Sequence, residues 1–185
     1  GLAQVHGDGA RFHRLMTPLI EELAEDTGNF QADAAWQEQQ QRLAQASQLE
    51  FQIPTTLQAE LRDYQVEGCR WLARLAHWGV GACLADDMGL GKTLQALTIV
   101  LARAPAGPTL VVAPTSVGGN WVDEARRFAP TLQPVLLRDE DRATVLAESG
   151  PFDLVICSYA LLHRERESLA AVCWQTVVLD EAQAI

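Results

Sequence analysis

Apolar residues fall into two rhythms along this chain. Over most of its length they come as short continuous runs: Gly81–Ala85, Thr109–Ala113, Pro134–Leu137, Asp153–Ser158 and Thr176–Leu179. Runs this short and unbroken are the mark of strands buried on both faces. Between the runs the spacing changes to that of amphipathic helices. Leu57–Ala76, Lys92 to about Arg103, Asn120–Phe128, Glu140–Glu148 and a short Ser168–Val172 segment fit it. Strand and helix in alternation predict an α/β fold, a doubly wound and mostly parallel sheet with helices on both faces.

The first fifty-odd residues follow a different pattern. Two helical stretches, about Arg11–Ala24 and Ala32–Leu49, are separated by Thr27-Gly28-Asn29. The second carries Gln37-Glu38-Gln39-Gln40-Gln41, which is short and interrupted and reads as a solvated helix face. Ile53-Pro54-Thr55-Thr56 reads as an extended hinge, because Pro54 disfavours helical geometry at Ile53. The expected division is a helical segment over 1–56 and an α/β domain over 57–185.

Composition narrows the class. At 185 residues, 48% hydrophobic and 21% charged, the chain can bury a core of ordinary size. No apolar run reaches the roughly 18 residues of a membrane span. The start, Gly1-Leu2-Ala3-Gln4, lacks the pattern of a signal peptide. It also lacks Met, and the chain stops just after a motif, so the expectation is a piece of a longer, cytoplasmic protein. The net charge of -10 argues against this stretch being a strong nucleic-acid binder by itself. A groove whose positive wall lies elsewhere remains compatible with it. Cys69, Cys83, Cys157 and Cys173 form no C-x-x-C pair and read as packing residues, Cys83 and Cys157 within apolar runs. Of the 14 basic residues only Lys92 is lysine.

Lys92 lies where the chemistry is densest. The loop Asp86–Gly91 leaves an apolar run, and Lys92-Thr93 opens a helix. Gly89 and Gly91 permit positive φ and close approach of backbone N–H groups to phosphate. Lys92 would reach the β- and γ-phosphates of a nucleoside triphosphate, and the Thr93 hydroxyl would bind Mg²⁺. The generic phosphate-loop pattern has Gly where Asp86 stands, so the match is partial. An ordinary glycine turn is the bland alternative. Downstream, Val177-Val178-Leu179 delivers Asp180 and Glu181 to a strand end. Asp180 would hold Mg²⁺ and Glu181 would orient the attacking water. A solvated acidic turn is the competing reading. The Gln65 amide can both donate and accept, which suits an adenine edge, though an amphipathic helix start explains it as well.

Leu61-Arg62-Asp63-Tyr64-Gln65, followed by Leu84-Ala85-Asp86-Asp87-Met88-Gly89-Leu90-Gly91-Lys92-Thr93-Leu94-Gln95, resembles the nucleotide signature of the Swi/Snf-type helicase-like ATPases of helicase superfamily two. Val112-Ala113-Pro114-Thr115-Ser116 with Asn120-Trp121 and Glu124 resembles the family's next motif. Asp153–Tyr159 resembles the one after, with Cys157-Ser158 departing from the commoner Thr-Thr. Asp180-Glu181-Ala182-Gln183 is similar to the Asp-Glu-x-His box, with the Gln of the bacterial branch. The resemblance covers about residues 57–185 and none of 1–56.

It implies the first RecA-like lobe of a DNA-dependent ATPase that translocates on duplex DNA, with ATP and Mg²⁺ as cofactors. It implies that Arg62, Gln65, Asp87, Met88, Gly89, Leu90, Gly91, Lys92 and Thr93 bind nucleotide, and that Lys92 and Glu181 serve catalysis. Thr93 and Asp180 would hold the metal, and Pro114, Thr115, Ser116, Ser158 and Tyr159 would face the DNA backbone. Hydrolysis in such a family needs arginines from a second RecA-like lobe. A stand-alone nucleotide-binding module without turnover is the alternative; a kinase lacks an acceptor site. Trp71, with Leu72 and Leu75, is expected in a helix–core contact rather than stacked on a base, and His77 and His163 at the surface.

Overall fold

A computed structural model describes residues 3–6, 9–27, 33–87, 89–138 and 142–184. Among them lie six strands: β1 Ala3–His6, β2 Gly9–Phe12, β3 Thr109–Ala113, β4 Gln133–Leu136, β5 Asp153–Ser158 and β6 Thr176–Leu179. The helices are α1 Thr17–Thr27, α2 Ala34–Ser47, α3 Asp63–Trp78, α4 Lys92–Arg103, α5 Gly118–Phe128, α6 Arg142–Glu148, α7 Tyr159–Arg164 and α8 Arg166–Ala170.

The chain divides into two compact units, Gly1–Phe51 with Arg70–Leu84, and Gln52–Cys69 with Ala85–Ile185. In the first unit β1 and β2 form an antiparallel pair with Ala3 opposite Phe12, an element absent from the expected all-helical start. Helix α2 opens on Asp33, whose carboxylate accepts from the Trp36 N–H at 2.8 Å, and it matches the expected helix over 32–49 within two residues at each end. Helix α1 starts at Thr17, six residues later than the pattern implied, because β2 and a 3₁₀ turn at Arg14–Met16 occupy the intervening chain.

The second unit is built on a four-stranded parallel sheet in the order β4-β5-β3-β6. In β3, all five residues are buried. Its Val111 and Ala113, with Leu154 and Ile156 of β5, face Leu97, Val100 and Leu101 of α4 and Trp121 and Ala125 of α5. The opposite face carries Leu110, Val112, Val155 and Cys157 against Leu146 of α6, Leu161 of α7 and Leu169 of α8. Each such buried aliphatic side chain contributes about 1.5–3 kcal/mol, which is why these runs were unambiguous. The fold is therefore the doubly wound one expected.

Three expectations need correction. Gly81–Ala85 is not a strand: no residue there enters a ladder, and Cys83 is exposed rather than packed. The parallel sheet accordingly has four strands, and β6 is an edge with Val177 53% and Leu179 49% exposed. The helix expected over 57–76 begins only at Asp63; a turn precedes it, with the Leu57 N–H donating to the Pro54 carbonyl at 3.0 Å. Trp71 is 44% exposed, so the core tryptophans are Trp78 and Trp121 instead. His77 and His163 are exposed, as expected. Among the described residues no helix is long and apolar enough to cross a membrane.

Candidate nucleotide site

Helix α4 fixes the site. Arg103 at its last turn donates from Nε to Thr176 Oγ1 and from Nη2 to the Gln175 carbonyl, both at 2.9 Å. The C-terminal end of α4 thus lies at the start of β6, and the two elements pack along one another. The twelve residues of α4 rise about 18 Å, and the four of β6 with Asp180 after them cover about 16 Å, so α4 begins near where β6 finishes. Lys92-Thr93 and Asp180-Glu181 therefore share the carboxyl edge of the sheet, where ligands bind in open α/β folds. Pro114–Ser116 after β3 and Ser158-Tyr159 at the end of β5 reach the same edge.

The loop ahead of α4 has a defined shape. Gly89 and Gly91 sit at φ 83 and 76, a region costly for any residue with a Cβ. Gly91 is the N-cap of α4, and no side chain caps the first-turn N–H groups. The Lys92 ammonium is turned onto its own loop, donating to the Asp86 carbonyl at 2.6 Å and the Asp87 carbonyl at 3.0 Å. Asp86 Oδ2 accepts from Gln95 Nε2 at 3.3 Å. Asp87, Gly89 and Leu90 are exposed; Met88 lies outside the described residues.

Gln65 fastens this loop to α3. Its Oε1 accepts from the Arg62 N–H at 2.9 Å and its Nε2 donates to the Leu90 carbonyl at 3.1 Å. Tyr64 adds its hydroxyl to the same carbonyl at 3.0 Å. Both polar atoms of the Gln65 amide are thus already engaged, and only 6% of the residue is exposed. The Arg62 side chain stands at the surface beside it.

The acidic turn is held from behind. Trp121 Nε1 donates to Asp180 Oδ2 at 2.8 Å, and the Tyr159 hydroxyl donates to the Asp180 carbonyl at 2.7 Å. Glu181 has φ 52, an uncommon backbone for a residue with a side chain, and its carboxylate accepts from Gln183 Nε2. Burial pushes the Glu124 carboxyl up; the Arg127 guanidinium opposes the shift and the Asp180 charge adds to it. Burial likewise raises the Tyr159 phenol, helped by the charge of Asp180 and by Cys157 and Glu181.

Among the expected DNA-facing residues, Thr115 and Ser116 are exposed. Ser158 Oγ accepts from the Leu161 N–H at 3.1 Å and so caps α7, while the Tyr159 hydroxyl is spent on Asp180. Pro114 is half-buried, its carbonyl accepting from the Val117 N–H. The donor set suits Mg²⁺, which asks for one or two hard oxygens and otherwise phosphate and water: a threonine hydroxyl and a carboxylate are both on this edge. Among the described residues there is no cluster of three or more His, Cys, Asp or Glu, so a closed, all-protein metal cage is absent there.

A family model described as the SNF2-related domain matches residues 64–185. The chain belongs to this family. The SNF2 match includes every site residue named above except Arg62. A relative is the ISWI chromatin-remodeling complex ATPase CHR17 of Arabidopsis thaliana, 40% identical over 141 residues, 71% of this chain and 13% of that protein. Another is YwqA of Bacillus subtilis, 43% identical over 143 residues, 74% of this chain and 16% of that one. The SWI2/SNF2 ATPase core of Sulfolobus solfataricus in complex with dsDNA superposes with a TM-score of 0.65 at 38% identity, over 74% of this chain and 29% of that core. This SNF2 segment thus spans 13–16% of the length of those two curated relatives, and its sheet and flanking helices are those of a RecA-like ATPase lobe.

Trp121 stands in one of the motif-like stretches, but its bond to Asp180 was not legible in the sequence. Trp121 lies 59 positions from Asp180, and no periodicity connects them.

Proposed function

We propose that the chain, from about residue 57 onward, is the first RecA-like lobe of a DNA-dependent ATPase, binding Mg-ATP at the carboxyl edge of its sheet. The reading rests on one observation: α4 runs back along β6, so Lys92-Thr93 and Asp180-Glu181 meet at one edge. Lys92 would exchange the Asp86 and Asp87 carbonyls for phosphate oxygens, and the uncapped first turn of α4 would donate its N–H groups to them. Thr93 and Asp180 would hold Mg²⁺, which when bound neutralises phosphate charge. Glu181 would orient the attacking water. Gln65 would face adenine by giving up one of its two hydrogen bonds, to the Arg62 N–H or the Leu90 carbonyl.

Duplex DNA is the proposed partner, since an identified structural relative was solved with dsDNA. Thr115 and Ser116 would contact backbone phosphate, a positioning role without sequence readout. With a net charge of -10, most of the electrostatic attraction must come from a second lobe bearing the transition-state arginines. Loss of such an arginine costs about 10³–10⁵ in rate. The setting is cytoplasmic, at the nucleoid.

ATP turnover tests this. The 185 residues alone should bind nucleotide but hydrolyse it negligibly, with or without duplex DNA. A longer polypeptide carrying the second lobe should show DNA-stimulated hydrolysis, and Glu181→Gln in it should bind ATP yet turn it over slowly. Robust turnover by the 185 residues alone would contradict the two-lobe reading, and absence of turnover in the longer chain would favour a regulatory nucleotide-binding module.

A further inference from the structure

The tryptophans of this chain treat their indole N–H groups differently. Trp174 donates to a backbone carbonyl, that of Leu169, at 2.7 Å. Trp78 is buried with no partner for Nε1. Trp121, only 2% exposed, gives its N–H to a side-chain carboxylate, Asp180 Oδ2, at 2.8 Å. A tryptophan placed for packing alone needs no carboxylate.

Indole N–H is a donor only. Bonded to one oxygen of Asp180, it fixes the torsion of the carboxylate, and the Tyr159 hydroxyl fixes the main chain of the same residue. Aspartate at a strand end otherwise has free rotation about its last torsion. Metal-binding carboxylates are oriented in this way by partners that never touch the metal.

Trp121 rides on α5, which starts at Gly118 directly after the exposed Thr115 and Ser116. The helix that carries the donor therefore begins at the loop expected to meet DNA.

We propose that Trp121 is a positioning residue for Mg²⁺: its indole N–H holds the Asp180 carboxylate in the orientation that receives the ion with its nucleotide. This deepens the nucleotide-site reading and rests on it. The test is Trp121→Phe, which keeps an aromatic ring in the core and removes the N–H. Binding of dye-labelled ADP is followed by fluorescence anisotropy, outside the tryptophan band, while Mg²⁺ is titrated. Partners that orient a metal ligand typically change metal affinity by about 10–100-fold, and a single hydrogen bond belongs at the lower end. The Mg²⁺ midpoint should rise about tenfold, with ADP binding in EDTA unchanged. Leu132→Ala, in the same core but at the other end of the sheet, should lower Tm and leave the midpoint alone.

An unchanged midpoint in a folded Trp121→Phe, or an equal rise in Leu132→Ala, overturns the proposal. Should Trp121→Phe fail to fold, the indole ¹H–¹⁵N resonance of Trp121 in the unsubstituted chain decides. It should move when Mg²⁺ is added to the ADP complex, while that of Trp174 stays; a Trp121 signal that does not move overturns the proposal. If the unsubstituted chain shows no Mg²⁺-dependent ADP binding at all, the nucleotide-site reading falls first, and this inference with it.

Discussion

Replacing Gly91 by Ala probes the glycine loop ahead of α4 where its geometry is tightest. Gly91 has φ 76 and Gly89 φ 83, so Ala at either site pays for a left-handed backbone, about 1–2 kcal/mol. The sites differ in what surrounds them. Around Gly89 a new methyl meets nothing within 4 Å. At Gly91 the methyl would overlap the Gln65 amide nitrogen. Gln65 is 6% exposed and held at both ends, by the Arg62 N–H and the Leu90 carbonyl, so moving it breaks a buried hydrogen bond. Leaving that group unsatisfied costs about 1–3 kcal/mol. The sums are about 1–2 kcal/mol for Gly89→Ala and about 2–5 kcal/mol for Gly91→Ala. Urea unfolding with an m-value of about 2 kcal/mol/M turns these into midpoint shifts of about 0.5–1 M and 1–2.5 M. Equal shifts for the two variants would show that Gln65 does not brace the loop as described.

Other outcomes follow from single contacts. Arg103→Ala removes two bonds to Gln175 and Thr176 and should cost about 2–3 kcal/mol, read by the same unfolding assay. Burial pushes the Cys69 and Cys157 thiols up to about 11 from 9.0. In the unfolded chain they lose protons first as pH rises, so their contribution to stability should be constant below pH 9.0 and fall between there and about 11, a decline that Cys69→Ala with Cys157→Ala should reduce. In the native chain Cys83 and Cys173 should react with a thiol reagent at neutral pH while Cys69 and Cys157 stay protected. Removing the Thr115 and Ser116 hydroxyls in a polypeptide carrying both lobes should uncouple ATPase from DNA without changing the salt slope of binding; a slope shallower by several units would give this acidic lobe the main electrostatic contact.

Sequence and structure agree on the two central strands of the sheet, buried on both faces, and on its β6 edge, which is not. Thr109–Ala113, Asp153–Ser158 and Thr176–Leu179 were legible as strands to the residue, since unbroken β-branched runs have few other fates. Gly81–Ala85 has the same apolar character and is no strand, because an apolar run says that a segment can pair and not that a partner is present. The β1–β2 pair was missed: its two strands are only four residues each, although Gly7-Asp8 between them is turn-forming sequence. Trp71 shares helical spacing with Leu72 and Leu75 yet faces out, since spacing alone cannot say which edge of an apolar stripe is covered. The loop and the acidic pair were legible because each is a local motif with its own chemistry. Their supports were not: Gln65 to Leu90, Trp121 to Asp180 and Arg103 to Thr176 join residues 25, 59 and 73 positions apart.

Calorimetric titration of Mg-ADP into the unsubstituted chain and into Lys92→Ala tests the nucleotide site most directly. Among the described residues Lys92 Nζ donates to two loop carbonyls, so the substitution should leave the fold and its Tm nearly unchanged. The unsubstituted chain should bind with modest affinity, and the variant should show no measurable heat of binding. Equal binding by both would contradict a phosphate site at Lys92.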